Sequence, residues 1–305
     1  MSKVLITGAS GLIGTRLTEM LLQKGYEVAH LSRSKGLGLS SSEADEVPTF
    51  VWDVNAGTVD QAAFCDVDAV VHLAGAGVAD QRWTEKRKRE ILESRTKSAA
   101  LLAKGINGNQ HVKVVVAASG IGYYGEGTHH VFTEADGQGR DFLAGVVDSW
   151  EKEVDKIPCK RIVKLRTGIV LSEKDGALKK MMTPVKFFAG APLGSGDQYM
   201  SWIHIDDLCS MYIKSIEDEA MRGVYNATSL YAVTNTELTR AIARVLKRPL
   251  WLPNVPAFVL KALLGEMADM VLTGSQVSSK KIQQTGFQFQ FPDLNQALEN
   301  LVQKK

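Results

Sequence analysis

A run of three glycines, Gly8-Ala9-Ser10-Gly11-Leu12-Ile13-Gly14, limits the chain to few folds because of where it stands. It follows the short apolar stretch Val4-Leu5-Ile6-Thr7 and opens a segment in which Leu12, Ile13, Leu17, Met20 and Leu21 keep one helical face apolar, with Gly25 as the stop. Strand, glycine turn and helix in that order begin a βαβ unit. The first glycine allows the tight turn, the second lets backbone approach a pyrophosphate at the helix N-terminus, and Gly14 permits close helix-strand packing. Gly8, Gly11, Leu12, Ile13 and Gly14 are therefore candidate dinucleotide-binding residues.

Short continuous apolar runs alternate with helix-period stretches through the first half, which predicts parallel strands buried on both faces and joined by crossover helices. Strands are expected at 4–7, 26–31, 49–52, 69–73, 112–118 and 162–165. After Gly168 the alternation weakens and helices dominate, at 175–188, 206–219, 235–246 and 294–302. The expected architecture is α/β: a Rossmann-type doubly wound parallel sheet, mostly within residues 1–167, and a smaller, mainly helical C-terminal lobe within 168–305 over the ligand edge.

Charge and cysteine content narrow the setting. Lys+Arg 36 against Asp+Glu 34 leaves a net charge of +2, so no global excess argues for a nucleic-acid or membrane-surface partner. Cys65, Cys159 and Cys209 are far apart, without zinc-site spacing, and fit a reducing compartment. The N-terminus has no secretory pattern, and the apolar stretch 255–272 is broken by Lys261, Glu266 and Asp269, short of the roughly 18 uninterrupted apolar residues that suggest a span. A cytoplasmic protein with a small-molecule substrate, no nucleic acid and no membrane partner is expected.

The cofactor choice turns on the end of the second strand. A carboxylate about 20 residues past the glycine turn would bind a ribose 2′-hydroxyl and repel a 2′-phosphate. This chain offers Ser32-Arg33, whose hydroxyl and guanidinium suit the phosphate and predict NADP(H). Asp53, closing the third strand, fits either an adenine contact or an ordinary strand-end carboxylate. The Gly/Ser-rich segment 34–46 is expected at the surface near the bound ligand.

With these residues in view, the chain resembles the extended branch of the short-chain dehydrogenase/reductase superfamily. More closely, it is similar to atypical epimerase-family proteins with a C-terminal domain of unknown function, here 249–298. The likeness rests on the glycine turn; His72-Leu73-Ala74-Gly75; Arg82-Trp83-Thr84-Glu85 opening a helix that reaches Ser94-Arg95; Gly122-Tyr123-Tyr124-Gly125; Leu165-Arg166-Thr167-Gly168-Ile169-Val170-Leu171; Pro192-Leu193-Gly194-Ser195-Gly196; Ser201-Trp202-Ile203-His204-Ile205-Asp206-Asp207; and Gly265-Glu266-Met267. It implies that Ser32 and Arg33 contact the adenosine phosphate, and that Leu73, Ala74, Glu90, Arg95 and Leu171 line the rest of the NADP path. Leu73-Ala74-Gly75 also reads independently as a ligand-edge turn, since small residues at a parallel strand's carboxyl end let backbone approach a cofactor. The charge run 85–90 reads as a solvated face neutralised by the pairs Glu85/Arg89, Lys86/Glu90 and Arg89/Glu93. Extended relatives often dimerise through two helices, so the expected state is monomer or homodimer.

The catalytic signature departs from the superfamily. Active members use a Tyr-x-x-x-Lys pair, the lysine tuning the tyrosine for proton exchange. None of the seven tyrosines here has lysine four residues on, and the helix expected at 141–156 offers Phe142/Val146 or Leu143/Val147 at that spacing. Ser119, closing the fifth strand, is the candidate for substrate orientation, with local backbone satisfaction as its other reading. Tyr123 is the candidate proton donor, although no tuning partner is visible. His204 reads more simply as a hydrogen-bonded structural histidine than as an acid/base, Asp206 or Asp207 as a helix cap, and His129-His130 as no metal site. The expected function is an NADP(H)-binding, epimerase-like oxidoreductase of a small polar substrate. The alternative is an NADP-binding sensor without hydride chemistry.

Overall fold

The computed structural model describes residues 2–34 and 47–303. From residue 35 on, the Gly/Ser-rich segment lies outside the described residues. Eight strands form the central sheet: β1 (Lys3–Thr7), β2 (Glu27–Ser32), β3 (Thr49–Asp53), β4 (Thr58–Val59), β5 (Ala69–His72), β6 (Val114–Gly120), β8 (Ile162–Thr167) and β12 (Gly223–Ala227). Their order is β12-β8-β6-β5-β1-β2-β3-β4, parallel throughout except for β4. Short strands lie outside it: β7 (Gly127–Phe132) with β14 (Ser275–Val277), β9 (Ile169–Leu171) with β11 (Trp202–His204), and β10 (Tyr199–Met200) with β13 (Val233–Thr234).

Successive side chains of a strand point to opposite faces, so continuous apolar runs feed two cores. Val4, Ile6, Val116 and Leu165 join one core with Leu17 and Leu21 of α1 (Leu12–Gln23) and with α5 (Ile205–Glu217). Leu5, Val70 and Val115 join the other with Ala99 and Leu102 of α2 (Glu85–Ile106) and Trp150 of α3 (Phe142–Val154). Helices on both faces and strand order reversing at β1 make this the doubly wound fold expected. Brackets of glycine also act as expected: Gly25, at φ 81, ends the first helix.

The second half contains α4 (Ala177–Lys186), α6 (Asn235–Val245), α7 (Ala257–Leu264), α8 (Asp269–Leu272), α9 (Lys280–Gln284) and α10 (Leu294–Gln303). The sequence pattern missed one major element here: β12 closes the edge of the main sheet beside β8. Its fourth residue is Asn226, a polar residue that breaks an apolar run. Asn226 is nevertheless fully buried, accepting from Tyr124 Oη at 2.6 Å and donating to the Ser278 carbonyl at 3.1 Å.

Candidate active site

The switch in strand order places the ends of β1 and β5 side by side, where open α/β sheets bind ligands. Gly8, at φ 70, lies so close to Leu73 and Ala74 that an added Cβ would stand 2.9 Å from backbone atoms of both. Thr7 Oγ1 accepts from the Leu73 and Ala74 N–H groups at 3.2 Å each. That leaves its proton for His72 Nδ1 at 2.8 Å, and His72 Nε2 then faces Ser98 Oγ at 3.3 Å. The network assigns a neutral imidazole, and full burial pushes His72 down to about 4. These contacts fix the glycine turn against the β5 end.

Gly11 caps α1 without a side-chain hydrogen bond and the first turn holds no acidic residue, so the helix N-terminus keeps N–H groups for an external anion. Nearby, an added Gly75 Cβ would meet Arg95 at 3.2 Å. The Arg95 guanidinium sits over the Trp150 ring at 5.1 Å and donates to the Ala76 and Ile91 carbonyls. Burial first, then the Arg87 cation, push Arg95 down to about 10, and no carboxylate pairs with it among the described residues. A glycine bed, an open helix N-terminus and a half-buried cation without a carboxylate together form a cradle for an anionic ligand.

The other cofactor candidates take different positions. Ser32 ends β2 and Arg33 follows it, exposed, on the same edge of the sheet. Leu12 and Ile13 begin α1. Glu90 is turned to Arg87, 2.8 Å away, and Leu171 is fully buried in the core on β9. Asp53 accepts from the Asn55 and Ala56 N–H groups, a local turn. The charge run also differs from its expected pairing. Arg87 is buried and donates to the Gly77 carbonyl, while Lys88 binds Glu85 at 2.6 Å and Glu266 at 3.0 Å. Arg82 also lies against Gly265, whose added Cβ would stand 3.3 Å from Nη2, so two sequence motifs, at Arg82-Trp83-Thr84-Glu85 and Gly265-Glu266-Met267, form one contact. An i,i+4 reading missed this because the run turns one cation inward and the other toward a segment far along the chain.

Ser119 and Tyr123 meet at the next strand, but through residues that the sequence reading did not single out. The buried Ser119 hydroxyl donates to Glu151 Oε1 at 2.5 Å. Arg166 holds the same carboxylate, Nε to Oε1 at 2.8 Å and Nη2 to Oε2 at 2.9 Å. Its guanidinium carbon lies 3.4 Å from the Tyr123 ring centre, and its Nη1 donates to Tyr124 Oη at 3.1 Å. Tyr124 is buried, which pushes its phenol up to about 12. Leu143, one of the residues at the Tyr/Lys spacing, packs beside Gly122, and Val146 and Val147 are buried. One signal could have found the pair: an arginine inside a strand buried on both faces requires a carboxylate.

His204 is the N-cap of α5, its Nδ1 accepting from the Asp206 N–H at 3.0 Å, and its ring stacks on Phe291. The sequence placed the cap on Asp206 or Asp207. Instead Asp206 accepts from Arg16 Nε at 2.6 Å, and Asp207 accepts from the Gln290 and Phe291 N–H groups. His130 binds Asp136. No cluster of potential metal ligands occurs among the described residues, and no helix among them is long and apolar enough to cross a membrane.

Residues 4–141 match the NAD dependent epimerase/dehydratase family, and 255–301 match a domain of unknown function, DUF1731. An Arabidopsis thaliana protein, "Epimerase family protein SDR39U1 homolog, chloroplastic", is 36% identical over 98% of this chain and 86% of its own. "Epimerase family protein YfhF" of Bacillus subtilis is 35% identical over 98% of this chain and 97% of its own. The crystal structure of human epimerase family protein SDR39U1 with NADPH matches at a TM-score of 0.88 and 32% identity, covering 99% of this chain and 100% of that one.

Proposed function

Because the chain belongs to the epimerase family, in the branch that joins an NAD-dependent epimerase/dehydratase domain to DUF1731, we propose that it binds NADP(H) and acts as an epimerase-like oxidoreductase on a small polar substrate. The observation that carries the cofactor assignment is Arg95, a half-buried cation beside Gly75 with no carboxylate partner among the described residues. A bound dinucleotide phosphate supplies the missing charge. Human SDR39U1, crystallised with NADPH, supports the same reading. Gly8, Gly11, Leu12, Ile13 and Gly14 bed the pyrophosphate, Ser32 and Arg33 take the adenosine phosphate, and Leu73 and Ala74 lie along the path. Glu90 acts through Arg87, and Leu171 shapes the bed from the core.

The nicotinamide supplies hydride transfer when bound; the chain supplies orientation and a proton. Tyr123 is the proton-exchanging group of this reading, its ring held on the Arg166 guanidinium. Ser119 gives its one proton to an ionised carboxylate, a stronger hydrogen bond than one to a neutral carbonyl, so it orients Glu151 and through it Arg166. The same bond favours a second reading, a cofactor-bound sensor without turnover, because it leaves the strand end without a free hydroxyl donor.

NADPH fluorescence separates the two. Purified protein loaded with NADPH is challenged with aldehydes, ketones, quinones and nucleotide sugars. Oxidation that depends on the panel member and drops in Tyr123→Phe, with NADPH affinity unchanged, supports the oxidoreductase. Tight binding without oxidation moves the assignment to the sensor, and failure to bind NADPH removes both.

A further inference from the structure

Seven large apolar side chains stand out into solvent among the described residues, and five of them fall on two touching stretches of the second half: Phe187, Phe188, Trp251, Phe258 and Leu263. Phe187 is 78% exposed and Phe258 73%. The stretches are joined along their length. Arg248 covers the Phe188 ring at 4.7 Å, and an added Gly190 Cβ would stand 3.0 Å from Leu250. Val255 donates to the Pro192 carbonyl and accepts from Gly194, each at 2.9 Å, and Pro256 then opens α7. That helix, Ala-Phe-Val-Leu-Lys-Ala-Leu-Leu, buries only Leu260. An almost wholly apolar helix with most of its side chains in water is an unpartnered surface.

The chemistry around it identifies what covers it. Residues 176–196 and 238–265 contain no aspartate or glutamate, although the chain has 34. They carry Lys179, Lys180, Lys186, Arg240, Arg244, Lys247, Arg248 and Lys261. Lys186, Lys247 and Arg248 are exposed beside the aromatic residues, and the ion pair seen in these stretches is the long one of Lys261 with Asp269 at 3.7 Å. The net charge of +2 conceals this local excess.

We propose that this face docks on the surface of an anionic lipid bilayer. The phenylalanine, tryptophan and leucine side chains enter the boundary between headgroups and acyl chains, and the lysines and arginines face lipid phosphates. A second copy related by a two-fold axis would bring this cationic patch against itself. A nucleic acid would find stacking partners in Phe187, Phe188, Trp251 and Phe258 but none in Ala257, Ala262 and Leu263, which α7 also turns to solvent.

The test is co-sedimentation of the full chain with phosphatidylcholine vesicles, with and without phosphatidylglycerol, alongside tryptophan emission. Binding is expected only with phosphatidylglycerol, weakening with salt and shifting emission to the blue. Phe258→Ser with Leu263→Ser lowers it about tenfold or more, as does Lys186→Glu with Arg248→Glu. All four positions are exposed, and an unchanged thermal midpoint confirms folding. Absence of binding at low ionic strength, equal binding to both vesicles, or indifference to both double variants overturns the proposal. So does a dimer in ultracentrifugation, or retention of an RNA homopolymer, that responds to these substitutions without vesicle binding.

Discussion

Arg166 grips the Glu151 carboxylate with two parallel hydrogen bonds, at 2.8 and 2.9 Å, and neither side chain is more than 9% exposed. Both oxygens of the carboxylate are engaged, one face of the guanidinium lies against the Tyr123 ring, and Nη1 donates to Tyr124 Oη, while Ser119 shares the carboxylate. Replacing Glu151 with Gln leaves the arginine charge buried and uncompensated. The expected cost is about 3–5 kcal/mol of folding stability, read from urea denaturation. A loss under about 1 kcal/mol, the value of an exposed pair, would refute the structural weight given to this contact.

Two glycines on helices make opposite predictions. An added Cβ at Gly14 would stand 2.5 Å from the Gly8 carbonyl oxygen and 2.6 Å from Ala9 Cα, backbone atoms that no rotamer change can move. Gly14→Ala is expected to cost about 1–3 kcal/mol and to abolish NADPH binding by displacing the turn. At Gly145 in α3 an added Cβ meets nothing within 4 Å. Gly145→Ala is expected to add about 0.5–1 kcal/mol by lowering the entropy cost of the helix. Thermal midpoints moving in the same direction for both would contradict the geometry.

The contrast between Gly14 and Glu151 also marks what the sequence makes legible. Gly14 announces itself because strand, turn and helix are consecutive, and two-sided burial writes parallel strands as continuous apolar runs. Glu151, on α3, does not, because its meaning lies in Arg166, on β8, and in Ser119, on β6. The same holds for Lys88, which reads as part of a solvated charge run until Glu266 is seen beside it. His204 hides for a different reason: its ring nitrogen caps a helix whose two following aspartates are, by composition, the better capping residues. Local periodicity carries the elements, while pairings over long sequence separation carry the site.

The proposed preference for NADP over NAD rests on Arg33, exposed just beyond Ser32 at the end of β2. A guanidinium hydrogen-bonded to a 2′-phosphate contributes about 1.5–3 kcal/mol, so Arg33→Ala is expected to cut the preference for NADP over NAD by roughly ten- to a hundredfold. Isothermal titration with both dinucleotides reads it. Affinity for NAD should change little, since NAD has no group for the lost side chain to bind. Unchanged discrimination would remove Arg33 from the site.

Two buried imidazoles make stability depend on pH. Burial pushes His72 and His30 from 6.5 to about 4 in the folded protein. The unfolded chain therefore takes up protons between pH 6.5 and 4 that the folded chain refuses, and stability falls as pH drops through that window. Above pH 6.5 both states hold neutral imidazole and the effect vanishes; below about 4 the loss is complete, on the order of 3 kcal/mol per histidine. Asp207, whose carboxyl burial raises, acts in the opposite sense above the usual carboxylate range. The histidine share is isolated by comparing wild type with His30→Gln, which keeps a donor for Thr18 Oγ1, 3.0 Å away in the native contact. Urea denaturation at pH 7.5, 5.5 and 4.5 should show the variant losing about one proton's worth of slope, about 1.4 kcal/mol per pH unit. Equal slopes would mean that His30 is protonated in the folded state.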